Sequence, residues 1–152
     1  MALSTSEDSL AAPAGQETLQ IVNRLNELQV LSDWVADISE RLGLSARVSF
    51  QLDLVLTEAV TNVIENAYTD GTDHKITVAI AQTPPLIEVQ IRDSGQPFNP
   101  LDYPKMVKPQ SLAEATVGGL GIHLIRSYAQ ECRYERRGQE NWFTIVLNEA
   151  EG

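Results

Sequence analysis

Hydrophobic positions recur with two different periods along the chain, and these periods divide it into predicted helices and strands. From about residue 26 to 42, apolar side chains return every three or four positions, which predicts a helix with Gly43 as its C′ residue. A second stripe of this kind predicts a helix to about Tyr68, with Ser45 as its N-cap. Strict alternation on either side of the turn at 83–85 predicts two antiparallel strands, each with one buried face.

The remaining segments complete the predicted fold. The apolar run at 18–22 is a candidate edge strand, and the aperiodic stretch at 94–117 holds most of the prolines and predicts a long loop. A helix follows at about 121–130, and the segments 132–137 and 142–147 predict a second hairpin. This order predicts an α+β two-layer sandwich, in which three helices cover one face of a mixed, mostly antiparallel sheet.

Composition and charge narrow the class of protein. The chain has 152 residues, of which 43% are hydrophobic, and no apolar run reaches the roughly 18 residues of a membrane span. A net charge of −10 argues against nucleic acid as a partner, but it is compatible with a nucleotide or a basic protein. We therefore expect a single globular domain over residues 18–148, with no direct contact to nucleic acid or to a membrane.

The N-terminus and the cysteine content bear on the cellular location. Residues 1–17 are small, polar and acidic and lack the features of a signal peptide, so they are predicted to be a disordered tail. The sequence contains a single cysteine, Cys132, which leaves no internal disulfide and no cysteine metal cluster. Both observations fit the reducing cytoplasm.

A row of polar residues on the second predicted helix is the first candidate for chemistry. Glu58, Asn62 and Asn66 are spaced i, i+4 and i+8, which aligns them along one side of a helix beside its apolar stripe. An amide oxygen can bind Mg²⁺, and a neighbouring carboxylate can take a proton from an attacking hydroxyl, as phosphoryl transfer requires. Spacing alone favours the simpler interpretation, which is a solvated helix face.

Two glycine-containing motifs are weak signals when each is taken alone. Asp93 and Gly95 follow a predicted strand, where a carboxylate could accept a hydrogen bond from an exocyclic amine and glycine could let a flat base approach. Ordinary turn chemistry also accounts for these two residues. The run "GGLG" at 118–121 precedes a predicted helix, so it is either a phosphate-binding helix start or a closely packed hinge.

In this order, the three motifs resemble those of the GHKL ATPases, which share the Bergerat fold. "EAVTNVIENAY" is similar to the N box of that superfamily, "DSGQPF" to its first glycine box and "GGLGIHLIRSYA" to its second. The second glycine box, the following "RYERRGQENWFTIVL" and the short chain resemble the anti-sigma-factor serine kinases in particular. The resemblance extends over about residues 18 to 148.

The resemblance implies a role for each matching residue. Glu58 is then the general base, Asn62 the Mg²⁺ ligand and Asp93 the acceptor of the adenine amino group, while about residues 99–117 form a lid over ATP. ATP and Mg²⁺ are the implied cofactors. The residues implied to bind them are Asn62, Asn66, Asp93, Gly95, Gly118, Gly119, Leu120, Gly121 and Ile122.

Some positions depart from the family pattern or stay unassigned. Asn66 stands where sporulation-type members have a histidine, and Val117 stands where some members have an arginine that meets the terminal phosphate. Lys105 or Lys108 in the lid could replace that arginine. Thr144 could be the threonine that some GHKL proteins place near the base, but the register of its strand leaves this open.

The resemblance implies an ATP- and Mg²⁺-dependent protein serine kinase that is also an anti-sigma regulatory factor. Such proteins phosphorylate a serine of a STAS-domain anti-anti-sigma protein, sequester a sigma factor and are commonly cytoplasmic homodimers. Two alternatives stay open at this point. The chain could be a binding module that switches with ATP and catalyses weakly, or the detached catalytic domain of a histidine kinase whose phosphate acceptor lies on another chain.

Overall fold

A computed structural model describes residues 16–102 and 117–150 of the chain, with side chains from residue 121 onward in the second range. The strands are β1 (Gln16–Val22), β2 (Lys75–Thr83), β3 (Leu86–Asp93), β4 (Glu131–Arg137) and β5 (Glu140–Asn148). The helices are α1 (Leu28–Arg41), α2 (Ala46–Asn66) and α3 (Val117–Tyr128). A short 3₁₀ turn at Leu25–Glu27 precedes α1, and another at Pro100–Asp102 follows β3.

The strands form one sheet in the order β1-β2-β3-β5-β4, and all four pairings are antiparallel. The predicted α+β sandwich is therefore confirmed, with β1 at an edge as expected. The register aligns apolar residues of neighbouring strands in rows, such as Val78 with Ile91 and Ile91 with Phe143. These rows are buried and pack with the apolar stripes of α1, α2 and α3 in one core. Burial of this continuous surface is the main stabilising contribution to the fold.

Local signals in the sequence fix the ends of the first two helices. The Ser45 hydroxyl accepts a hydrogen bond from the Val48 amide at 3.1 Å, which caps α2 as predicted. Gly43 has a φ of 70°, and the amides of Gly43 and Leu44 bond the carbonyls of Glu40 and Ser39 at 3.2 and 2.9 Å. This is a Schellman end for α1, and its left-handed residue is the predicted glycine.

Two boundaries differ from prediction. β1 begins at Gln16, inside the segment expected to be tail, and Glu17 there forms an ion pair with Arg41 of α1. α3 begins at Val117 rather than near Gly121, so the glycines lie inside its first turns. Helix propensity argues against such a start, but packing of α3 on α2 overrides it.

Other predictions concern residues outside the described ranges. These are the tail before residue 16, most of the proposed lid at 103–116 with Lys105 and Lys108, and the side chain of Val117. Over the residues that the structure does describe, no helix is long and apolar enough to cross a membrane.

Candidate active site

Two of the three sequence motifs meet where α2 packs against α3. A Cβ atom built on Gly121 would lie 2.8 Å from Glu58 Oε1 and 3.8 Å from Asn62 Oδ1. The helices therefore approach so closely that a side chain at Gly121 would displace the Glu58 carboxylate. The neighbouring Ile122, which the resemblance also implies as a binding residue, is completely buried in the core. The row on α2 is thus not a solvated face.

The polar side chains at this contact have no hydrogen-bond partner among the residues that the structure describes. Asn62 is 2% exposed, and its Nδ2 atom has no hydrogen-bond partner among the described residues. Burial, with a smaller contribution from the charge of Glu65, raises the pKa of the Glu58 carboxyl above its ordinary value. A buried amide without a partner costs stability, so such groups in native proteins are commonly met by a ligand or an ordered water.

Asn66, the third member of the row, is bonded to its own helix. Its Nδ2 donates to the Asn62 carbonyl at 2.9 Å, and its own carbonyl accepts from Gln96 Nε2 at 2.7 Å. The structure therefore brings Asn66 to the same end of α2 as the Asp93 loop, with its side-chain Nδ2 already donating to its own helix.

The second half of the site is a carboxylate at the end of β3. Asp93 is 4% exposed, and its Oδ1 atom accepts from the Gly95 amide at 2.8 Å and from Asn141 Nδ2 at 2.9 Å. Burial raises the pKa of Asp93, and these two hydrogen bonds act in the opposite direction. No hydrogen bond to its other oxygen, Oδ2, occurs within the described residues. Oδ2 is therefore the atom that can accept a hydrogen bond from a ligand.

The loop that follows Asp93 is fastened to the end of α2. The Ser94 amide donates to the Tyr68 hydroxyl, and the Gln96 amide donates to the Ala67 carbonyl, both at 2.8 Å. A Cβ on Gly95 would lie 2.3 Å from the Ala67 oxygen and 2.7 Å from the Ala67 Cβ. Close packing on Ala67 therefore already requires glycine here, whether or not a base approaches the backbone.

Asn141 is a site residue that sequence reasoning missed. It is 3% exposed on β5, faces Asp93 across the sheet, and accepts hydrogen bonds from Tyr134 and Arg136 of β4. The alternation of β5 could have identified it. Asn141 is a polar residue in the same buried alternate row as Phe143, Ile145 and Leu147. Asp93 ends the buried row of β3 in the same way.

Thr144 lies on the sheet face that points away from the helices. It pairs with Gln90 and Arg133 and accepts a hydrogen bond from Gln90 Nε2 at 3.4 Å. There it lines a cavity of about 310 Å³ on the open side of the sheet, together with Trp142. The possibility that Thr144 belongs to the site beside Glu58 is therefore wrong.

The remaining glycine-box residues lie in the first turn of α3. Gly118, Gly119 and Leu120 follow Val117 directly in this helix. The first N–H groups of a helix have no partner inside it, and the helix dipole favours negative charge there. Among the described residues no cluster of three or more His, Cys, Asp or Glu side chains could hold a metal ion.

The fold and this site agree with the comparison of the sequence with known families. Residues 21–147 match the family described as the histidine kinase-like ATPase domain, and the chain belongs to that family. It is 31% identical over 117 residues to the serine/threonine-protein kinase BtrW of Bordetella bronchiseptica, covering 77% of this chain and 82% of that protein. It is 26% identical over 122 residues to the serine-protein kinase RsbW of Listeria monocytogenes, covering 77% and 78% of the two chains.

A solved structure shares the fold at lower sequence similarity. The histidine kinase domain of the EL346 blue-light activated histidine kinase from Erythrobacter litoralis superposes with a TM-score of 0.51 and 14% identity. The match covers 83% of this chain and 61% of that one. This likeness supports the architecture of the sheet and helices, and it says nothing of the phosphate acceptor.

Proposed function

We propose that the protein is an ATP-dependent protein serine kinase of the anti-sigma type, a proposal supported by the two kinase relatives described above and by its site residues. Its substrate would be a serine on a STAS-domain anti-anti-sigma protein, and a sigma factor would be its second partner. We further propose that it works as a cytoplasmic homodimer. The observation that carries the proposal is the convergence of Glu58, Asn62 and Gly121 at one contact, with Asp93 on the neighbouring strand end.

Base recognition is assigned to Asp93. A buried carboxylate with one oxygen engaged and the other available can accept a hydrogen bond from the exocyclic amine of adenine. The first-turn amides of α3, including those of Gly118 and Gly119, would bind the phosphates, since a helix N-terminus attracts anions. The two assignments place the base toward β3 and the phosphates toward α3.

Asn62 fits a magnesium site because its buried side chain offers the amide oxygen Oδ1, and Mg²⁺ prefers oxygen ligands; the unpartnered Nδ2 beside it is a donor that can meet a phosphate oxygen. Mg²⁺ keeps several waters and commonly needs one or two protein ligands beside phosphate oxygens, so one side chain is a sufficient donor set. Bound there, Mg²⁺ would neutralise negative charge on the phosphates.

Glu58 would act as general base on the substrate serine. Its half-buried carboxylate adjoins Gly121 and has no hydrogen-bond partner within the described ranges, so it is available to accept a proton from a hydroxyl. Burial raises its pKa, which makes it a stronger base than an exposed glutamate. Asn62 beside it would hold the terminal phosphate of ATP in line with the serine hydroxyl.

The decisive experiment is a pull-down with the full chain, with and without ATP, followed by mass spectrometry of the captured proteins. We expect an acid-stable phosphoserine on a STAS-domain partner, appearing only when ATP is present. A captured partner that stays unmodified would support the binding-module alternative. Acid-labile phosphohistidine on the partner would instead support a detached histidine kinase domain and would refute the serine kinase.

A further inference from the structure

The hydrogen bonds around Asn141 converge on one oxygen of Asp93. Asn141 Nδ2 donates to Asp93 Oδ1 at 2.9 Å and also to the Gln96 carbonyl at 2.9 Å. The Gly95 amide donates to the same Asp93 oxygen at 2.8 Å. Both bonds to the carboxylate therefore occupy Oδ1, and in the described part of the chain Oδ2 is left to meet a ligand.

Three donors fix the orientation of the Asn141 amide. Its Oδ1 atom accepts from the Tyr134 hydroxyl, from Arg136 Nη1 at 3.1 Å and from the Phe98 amide at 3.3 Å. A guanidinium and a backbone N–H can only donate, so the oxygen of the side chain must face them. The nitrogen must consequently face Asp93, and the assignment of the two amide atoms follows from the network.

The same network holds the loop that carries the site. Arg136 Nη1 of β4 also donates to the Gly95 carbonyl at 2.8 Å. With the bond from Asn141 of β5 to the Gln96 carbonyl, both strands therefore form hydrogen bonds to the loop after Asp93. Asn141 is 3% exposed and Asp93 4% exposed, and hydrogen bonds at such low exposure are stronger than bonds in water. Although burial raises the pKa of Asp93, the Asn141 bond opposes that rise and favours the ionised form, which can only accept.

We propose that Asn141 is a positioning residue that sets the preference of the site for adenine. It acts through Asp93: by engaging Oδ1 it presents Oδ2 as an ionised acceptor, which accepts from an exocyclic amine and repels a carbonyl oxygen at the same ring position. This inference rests on the proposed function, because it requires a nucleotide base at Asp93.

The test is the affinity of the full chain for ADP and for IDP, whose base carries a carbonyl oxygen in place of the amine, measured by isothermal titration calorimetry. The unmodified protein should prefer ADP by about tenfold or more, as expected for a hydrogen bond to a charged group. In Asn141→Ala the ADP affinity should fall by about tenfold while the IDP affinity changes less than about threefold, so the preference disappears.

Asn148→Ala is the matched control, since Asn148 is on the same strand and its side chain bonds Gln130 instead. It should keep the preference for ADP. An equal loss of affinity for ADP and IDP in Asn141→Ala, or no loss for either, would overturn the proposal. A residue with a merely structural role does not alter the ratio of the two affinities. Tyr134→Phe removes one donor to Asn141 and should narrow the ratio to a smaller extent. If Asn141→Ala fails to fold, an unchanged ratio in Tyr134→Phe overturns the inference.

A failure of the proposed function has a different signature. The unmodified protein would then bind neither nucleotide, or would bind ADP and IDP with equal affinity. Either result would refute the assignment of Asp93 to base recognition, and the proposed role of Asn141 would be refuted with it.

Discussion

The two halves of the candidate site are built in opposite ways. Around Asp93, backbone amides, Asn141 and Tyr68 satisfy one another, and the loop is fixed before any ligand arrives. Around Glu58, the Asn62 Nδ2 atom is buried without a partner in the described residues, and no hydrogen bond to the Glu58 carboxylate occurs among them. Under the proposed function, this difference means that the half that recognises the base is preorganised, whereas the catalytic half would be completed by its substrate.

The largest effect is expected from Glu58→Gln. This variant removes the proton acceptor but leaves the Asp93 half intact, so phosphoryl transfer should fall about 100- to 10,000-fold. ADP affinity should stay within about threefold of the unmodified value, which titration calorimetry would measure beside a transfer assay. Glu40→Gln, an exposed change on α1 that removes the same charge, is the matched control. Transfer at the normal rate in Glu58→Gln would remove Glu58 as the base.

Gly121→Ala should damage the catalytic half alone. The new Cβ would meet Glu58 Oε1 at 2.8 Å, and the carboxylate can swing away because it is the end of a flexible side chain. A displaced base should lower transfer by about 10- to 100-fold. The melting temperature should hold or rise, because alanine favours a helix more than glycine does. Ser127→Ala on the same helix is the control, and a loss of stability in Gly121→Ala would contradict the expected geometry.

Gly95→Ala should damage the recognition half through the fold itself. The added Cβ would lie 2.3 Å from the Ala67 carbonyl oxygen, and backbone cannot move aside as a side chain does. The cost should be about 1–3 kcal/mol in the free energy of unfolding, seen as a lower melting temperature, with weaker ADP binding. The opposite stability effects of these two glycine substitutions are the sharpest test of the comparison. An unchanged melting temperature here would mean that the loop is not packed as described.

The pH dependence of transfer should give the smallest effect. As the proposed base, Glu58 would act in its carboxylate form, so transfer should decline as the pH falls through its pKa, which burial raises. The charge of Glu65 adds to this rise, so Glu65→Gln should lower the pKa and move the acidic limb of the profile to lower pH. A limb that stays in place or moves to higher pH would exclude this coupling between the two carboxylates.

Much of the fold was predictable because local signals are strong where they exist. The apolar stripes of α1 and α2, the cap at Ser45 and the alternation in β2 and β3 all depend on neighbours in sequence. The start of α3 was not predictable in this way. Its glycines argue against a helix, and the reason for the glycine at 121 is its close approach to Glu58, 63 residues earlier in the chain.

The candidate site was predictable only in part, for a related reason. Motif spacing and family resemblance led to Glu58, Asn62 and Asp93, but Asn141 meets Asp93 across 48 residues. That contact depends on β5, rather than β4, lying next to β3, and on the exact pairing of Asp93 with Asn141. Register of this kind follows from packing of the whole sheet, which also decides that Thr144 faces the open side.

The alternation of β5 gives the protein a built-in optical probe. Trp142 follows Asn141 directly but lies on the opposite face of the sheet, where the guanidinium groups of Arg92 and Arg137 sit 4.8 and 3.8 Å from its ring centre. Arg92 in turn directly precedes Asp93. Arg92 also pairs with Trp142 across the sheet, so a slip of this strand pairing would separate the indole from the cation. Trp142 fluorescence could therefore report, without a label, whether Asn141 is in register with Asp93. Trp34 in α1, the other tryptophan of the chain, would supply the reference signal.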